Sequence, residues 1–147
     1  MYLQDVLTAL ESKFTIKLAQ STLRNYQNDG LIPPAKRTSL GRWKGTVTEY
    51  PDDVVPQVYA AYMLQNGSIT ARPAMIARAR KLISDIQNRV PDVGEVLSDM
   101  MLWMVCRLWL YHVVKANWGI ETYAEWDHDN EGFYIRIVDT DGKTYIY

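Results

Sequence analysis

The stretch Leu18–Arg42, LAQSTLRNYQNDGLIPPAKRTSLGR, leaves the chain few options, because it reads as a short amphipathic helix, a hard stop and a basic loop in that order. At helical spacing Leu23, Tyr26 and Gln27 share one face, while Ser21, Thr22, Arg24, Asn25 and Asn28 point elsewhere. A row of hydrogen-bonding side chains turned away from a core suits the edges and phosphates of a nucleic acid. Asp29-Gly30 is expected to end the helix, since glycine takes the left-handed cap without a Cβ clash, and Pro33-Pro34 prevents a restart. Lys36, Arg37, Arg42 and Lys44 follow in a segment punctuated by Gly41 and Gly45, the pattern of a β-ribbon wing with a tight tip. The tip itself, Arg42-Trp43-Lys44, is basic, aromatic and basic, which suits a minor groove. Trp43 has a second option, folding back on the hydrophobic surface near Tyr50.

The run Thr22-Leu23-Arg24-Asn25-Tyr26-Gln27-Asn28-Asp29-Gly30-Leu31-Ile32-Pro33-Pro34 resembles the MerR family of bacterial transcription regulators, whose winged helix-turn-helix carries Thr-Leu-Arg-x-Tyr-x-x-x-Gly-Leu-Ile-x-Pro. The match continues through Lys36-Arg37 and Gly41-Arg42 to Tyr50-Pro51, where the family begins its next helix, and it covers roughly the first half of the chain. Two departures stand out: Asn25 occupies a position where the family commonly has an aromatic, and Trp43-Lys44-Gly45 lengthens the wing. The resemblance implies a homodimer on double-stranded DNA, with recognition helices in successive major grooves, wings on the flanking backbone, and a bent or untwisted duplex. On that basis Arg24 and Arg42 are the first candidates for phosphate or base contact. Ser21, Thr22, Asn25 and Asn28 follow as readers carried by the helix, then Lys36, Arg37 and Lys44. Lys17 is free to reach phosphate from the preceding turn, Tyr26 packs its ring while offering its hydroxyl, and Trp43 joins if it does not fold back. Two other functions fit the same residues: a phage- or plasmid-type architectural protein of the excisionase or packaging kind, and an interaction module that docks another protein.

A net charge of −1 over 147 residues argues against nucleic acid until its distribution is considered. Residues 13 to 45 hold seven Lys or Arg against the single Asp29, whereas residues 91 to 147 hold four basic and ten acidic residues. The first segment suits a polyanion and the second would be repelled by one. Cys106, the one cysteine, lies in an apolar run and has no partner for an internal disulfide, which points to a reducing cytoplasm. The opening stretch MYLQDVLTAL, with an early Asp5 and no basic residue, reads as a folded helix and not as a signal peptide. The most hydrophobic region, Val96 to Val114, is interrupted by Asp99, Arg107 and His112, so a buried helix is expected there and no membrane span.

The fold class that follows is mainly α with small β (α+β): a winged helix-turn-helix, long helices, and a C-terminal three-stranded antiparallel meander. Leu3, Val6, Leu7 and Leu10 predict a helix over residues 2–12, followed by a turn over 13–18 plugged by Phe14 and Ile16. Asp52 or Asp53 is expected to cap a helix carrying Val54, Val55, Val58, Tyr59, Tyr62 and Met63, ended by Asn66-Gly67. A further helix is read from about Arg72 to Val90, with Arg72, Arg78, Arg80 and Lys81 on its solvent side, and another over 93–118. In the tail, alternation through Thr122–Trp126, Phe133–Val138 and Thr144–Tyr147, with Asp141-Gly142 as a hairpin signal, predicts the strands. Three units result: 1–67 for DNA, 68–90 as a connecting helix, and 91–147 for dimerisation or an effector.

No Ser/His/Asp order, Gly-rich phosphate loop or paired ligand spacing is present, so neither an enzyme nor a cofactor is expected. His128 between Asp127 and Asp129 reads either as an exposed turn or as a weak divalent site. The lone Cys106 also lacks the thiolate cluster with which metal-sensing members of the resembled family hold soft metals. Trp103, Trp109, Trp118, Trp126, Tyr111, Tyr123 and Tyr134 crowd the acidic half, and they make either an ordinary core and dimer interface or a pocket for a small aromatic or cationic effector. Met100, Trp103, Met104, Leu108, Trp109 and Tyr111 are the residues expected to serve one or the other.

Overall fold

The computed structural model describes residues 1–67, 70–87, 100–118, 122–129, 131–138 and 141–146. Among them are five helices, a two-stranded antiparallel ribbon and a three-stranded antiparallel sheet. The mixed helix-and-strand class expected from sequence is what the chain adopts.

Helix α1 (Leu3–Phe14) buries Val6 and Leu10 and ends where Thr15 turns left-handed at φ 59°. Its last turn is closed by the Ile16 amide donating to the Leu10 carbonyl at 3.2 Å, which delivers buried Ile16 to the core. Helix α2 (Gln20–Asn28) inserts Leu23 and Tyr26. It stops in a Schellman motif: Leu31 N–H donates to the Tyr26 carbonyl at 2.9 Å and Gly30 N–H to the Gln27 carbonyl at 3.1 Å. Gly30 sits at φ +75°, the left-handed conformation that the Asp29-Gly30 pair predicts. Strands β1 (Lys36–Ser39) and β2 (Thr46–Glu49) pair with Lys36 opposite Glu49 and Ser39 opposite Thr46. The base of this ribbon is fixed to the chain start, because the Tyr50 amide donates to the Met1 carbonyl and the Met1 amino group to the Tyr50 carbonyl, at 2.7 and 2.9 Å.

Helix α3 (Val54–Asn66) is the centre of the molecule. Besides the expected Val54, Val55, Val58 and Tyr59 it buries Pro56, Ala60, Ala61 and Leu64. Apolar residues on all sides require cover on all sides, and α1, α2, α4 and α5 supply it. Asp53 occupies the N-cap position without capping: its carboxylate instead accepts from Gln57 Nε2 at 2.7 Å. Gly67 ends α3 in extended backbone, not in the left-handed cap. Helix α4 (Pro73–Gln87) begins with Pro in its first turn and buries Ile76, Ala79, Leu82 and Ile83.

Helix α5 (Met100–Trp118) lies across both α3 and α4, and strands β3 (Thr122–Asp127) and β4 (Gly132–Val138) pack on another of its sides. Strand β5 (Thr144–Ile146) completes the sheet order β3-β4-β5. Val105, Cys106, Leu108 and Trp109 of α5 belong to the same core as Val6 and Leu23. That core therefore runs across the boundaries at 67 and 90 that the sequence suggests. The ends of the helices expected over 72–90 and 93–118 lie partly outside the described residues. No helix among the described residues is long and apolar enough to cross a membrane.

Candidate nucleic-acid interface

Burial of Leu23 and Tyr26 fixes the rotation of α2, so the opposite side is set by geometry: Ser21, Arg24, Asn25 and Asn28 are exposed and Thr22 is half-buried. The ribbon next in sequence exposes Lys36, Arg37, Arg42, Trp43 and Lys44. Tyr50, which follows the ribbon, is buried. Burial pushes its phenol up, while the positive charges of Arg24 on α2 and Arg37 on β1 pull it back.

Tyr26 takes the packing role. It is 5% exposed, and its hydroxyl is pushed up to about 12 by burial first and Tyr62 second. Lys17 is exposed, and its ammonium lies 3.1 Å from the Glu11 carboxylate. A surface pair of this kind contributes about 0–1 kcal/mol, so it does not hold Lys17 from a stronger anion.

At the ribbon tip Trp43 is 94% exposed. The option of folding back near Tyr50 is thereby removed, since Tyr50 is covered by other residues and the indole stands clear. The tip is closed by Leu40 N–H to the Gly45 carbonyl at 3.0 Å and Lys44 N–H to the Gly41 carbonyl at 3.2 Å. Gly41 at φ 108° and Gly45 at φ 77° supply the backbone that this closure needs.

Sequence reading missed the strut behind this face. Arg80, expected on the solvent side of α4, turns inward: Nε donates to Gln57 Oε1 at 3.1 Å and Nη1 to the Gly30 carbonyl at 3.2 Å. Asp53, Gln57 and Arg80 form a chain that ends on Gly30, just past the end of α2. Burial disfavours the guanidinium charge and Asp53 supports it. The spacing of Asp53 and Gln57, four apart on one helix, is the signal available from sequence.

The residues assigned to a dimer or effector divide differently. Leu108 and Trp109, 9% and 3% exposed, are spent inside the single chain against α3 and α4, because α5 meets those helices and not the sheet alone. Met104 and Tyr111 are half-buried, and the side chains of Met100 and Trp103 lie outside the described residues, as does that of Trp118. Two ring faces that a cationic effector would need already face cations of the chain: Arg136 stands 4.4 Å over Tyr123 and the Lys115 ammonium 5.8 Å over Tyr111. Tyr134 donates its hydroxyl to Glu125, and Arg136 donates to the same carboxylate from Nε and Nη2 at 3.0 and 2.7 Å. Arg136 first and Tyr134 second hold Glu125 below the usual carboxylate range. Among the described residues no group of three or more His, Cys, Asp or Glu is placed to hold a metal ion, and His128 is exposed.

No protein-family model matches the chain, and no curated protein or solved structure matches it either.

Proposed function

We propose that the chain is a non-enzymatic, sequence-specific DNA-binding regulator, cytoplasmic and homodimeric, in which α1, α2 and the β1-β2 ribbon form a MerR-like winged helix-turn-helix. Helix α5 with the β3-β4-β5 meander would then form the dimerisation or effector half. The observation that carries the reading is the exposure of the basic and amide side chains of α2 and of the ribbon that follows it. Arg24, Asn25 and Asn28 on the helix and Lys36, Arg37, Arg42 and Lys44 on the ribbon are all turned to solvent. Cationic and amide side chains held by one packed helix and one ribbon match the two requirements of duplex recognition, neutralising phosphate and reading base edges.

Salt dependence tests the electrostatic half of this reading. With about four to six phosphate contacts per subunit, the log-log slope of affinity against salt is expected at roughly −4 to −5 per subunit. A flat response in an anisotropy titration would remove the proposal. Arg42→Ala or Lys44→Ala should weaken all duplexes alike. Asn25→Ala should cost about 1–3 kcal/mol mainly on the preferred site, if it reads a base. Mapping bound sites across the source genome separates a regulator, found at promoter spacers, from an architectural protein, found at recombination or packaging sites.

A further inference from the structure

Trp43 is the most exposed large apolar side chain among the described residues, at 94%, and its neighbour Leu40 is 50% exposed. An indole left in water on a flexible tail would need no explanation, but this one is held on a closed turn. The two tip hydrogen bonds fix its backbone, and Gly41 N–H adds a third contact to Ser39 Oγ at 3.4 Å. Arg42 and Lys44 flank it, and no acidic residue lies between Lys36 and Thr48. A flat apolar group ringed by cations is complementary to a polyanion with stackable faces. Protein surfaces seldom offer both, whereas every base step of a nucleic acid does.

Resting on the DNA-binding reading above, we propose that Trp43 is a wedge. The ribbon tip enters the minor groove, Arg42 and Lys44 take phosphates on either side, and the indole inserts at a base step and kinks the duplex. Four-residue strands carry the tip about 13 Å from the ribbon base at ~3.3 Å per residue, against a minor groove about 7.5 Å deep, so the reach suffices. Pyrimidine–purine steps unstack most easily, which makes TA-rich duplex the favoured substrate of the tip.

The test uses the full chain and two duplexes of equal length, one with central TA steps and one G·C-rich. A donor and acceptor at the duplex ends read bending, and anisotropy reads affinity. Wild type is expected to bend the TA duplex more than the G·C one. Trp43→Ala, which removes no core contact, should bind the TA duplex roughly 5- to 100-fold more weakly and leave it straight, with its salt slope unchanged because no charge is lost. Trp43→Phe should keep most of both properties. Trp43→Ala that binds and bends like wild type would overturn the wedge and leave the DNA-binding reading intact. Failure of wild type to bind either duplex at low salt would overturn both. Binding of wild type, but not Trp43→Ala, to phosphatidylserine vesicles, with duplex bending unaffected by the substitution, would overturn the wedge in favour of a membrane-seeking tip.

Discussion

His112 shows how a single residue reports on its surroundings. Its Nδ1 is buried with no hydrogen-bond partner, and its ring meets Tyr59 at 5.9 Å and Tyr111 at 5.0 Å. Burial first and Lys115 second lower its pKa to about 4. The unfolded chain, titrating near 6.5, therefore binds more protons than the folded chain between these two values. Stability from the neutral ring is complete above that window and is lost as pH falls through it. At about pH 5 the loss amounts to roughly 2 kcal/mol at most, trimmed by the partial exposure of the ring. Urea midpoints at about pH 7.5 and pH 5 should show this drop in wild type and a smaller one in His112→Phe, which keeps the ring contacts. An equal drop in the variant would assign it elsewhere, although Glu125, with its lowered pKa, responds only at still lower pH. Cys106 follows the same logic in the opposite direction. Burial pushes its thiol up to about 11 and the sulfur donates to the Ala79 carbonyl at 3.8 Å, so it serves the core and not redox chemistry.

At the scale of elements, the decisive contact is the one that ties α4 to the end of α2. Arg80→Ala would leave the Gly30 carbonyl and Gln57 Oε1 without their donor, at a cost of about 1–3 kcal/mol. Lysine cannot reproduce a fork that reaches two acceptors from two nitrogens, so Arg80→Lys should recover little. Amide exchange offers the sharper check: protection of Asp29, Gly30 and Leu31 should fall in both variants while that of α1 is unchanged. The elements themselves were legible where local chemistry decides them. The alternation of Leu23 and Tyr26 with polar residues, the Asp29-Gly30 stop and the glycine-bounded tip each appear as the sequence predicts, because a helix face, a left-handed cap and a tight turn are set within a few residues. Long-range choices were not legible. Arg80 has the composition of a solvated residue and turns inward only because α3 brings Gln57 beside it. Trp43 has the composition of a core residue and stands in water because the closed tip holds it out. Ala60, Ala61 and Leu64 carried the clue that α3 is buried all round, but small residues give a weak periodic signal until four neighbouring helices are in place.

For the whole molecule, the question is whether the basic part can stand without the acidic part. Charge and the Pro91 and Gly94 punctuation suggest two separable halves. Packing argues otherwise, since α5 closes the faces of both α3 and α4 that would otherwise meet water. Burial of Val105, Leu108 and Trp109 contributes on the order of 6 kcal/mol together, comparable to the net stability of about 5–15 kcal/mol that a domain of this size has. A chain cut after Gln87 exposes Ile76, Ala79 and Leu82 as well, so it should lose cooperative unfolding and soluble tertiary structure even though α2 and the ribbon are intact in sequence. Leu108→Glu belongs to the same prediction. Placing a carboxylate at a site 9% exposed inside one chain should unfold the protein by about 4 kcal/mol or more, and the loss should not depend on protein concentration. An interface residue behaves differently: its substitution releases folded monomers, and its effect fades as concentration rises. Sedimentation and circular dichroism of Leu108→Glu over a range of concentrations separate the two. A folded monomer would return Leu108 to a dimer interface; an unfolded chain at every concentration places the self-association surface of the proposed homodimer elsewhere on the acidic half.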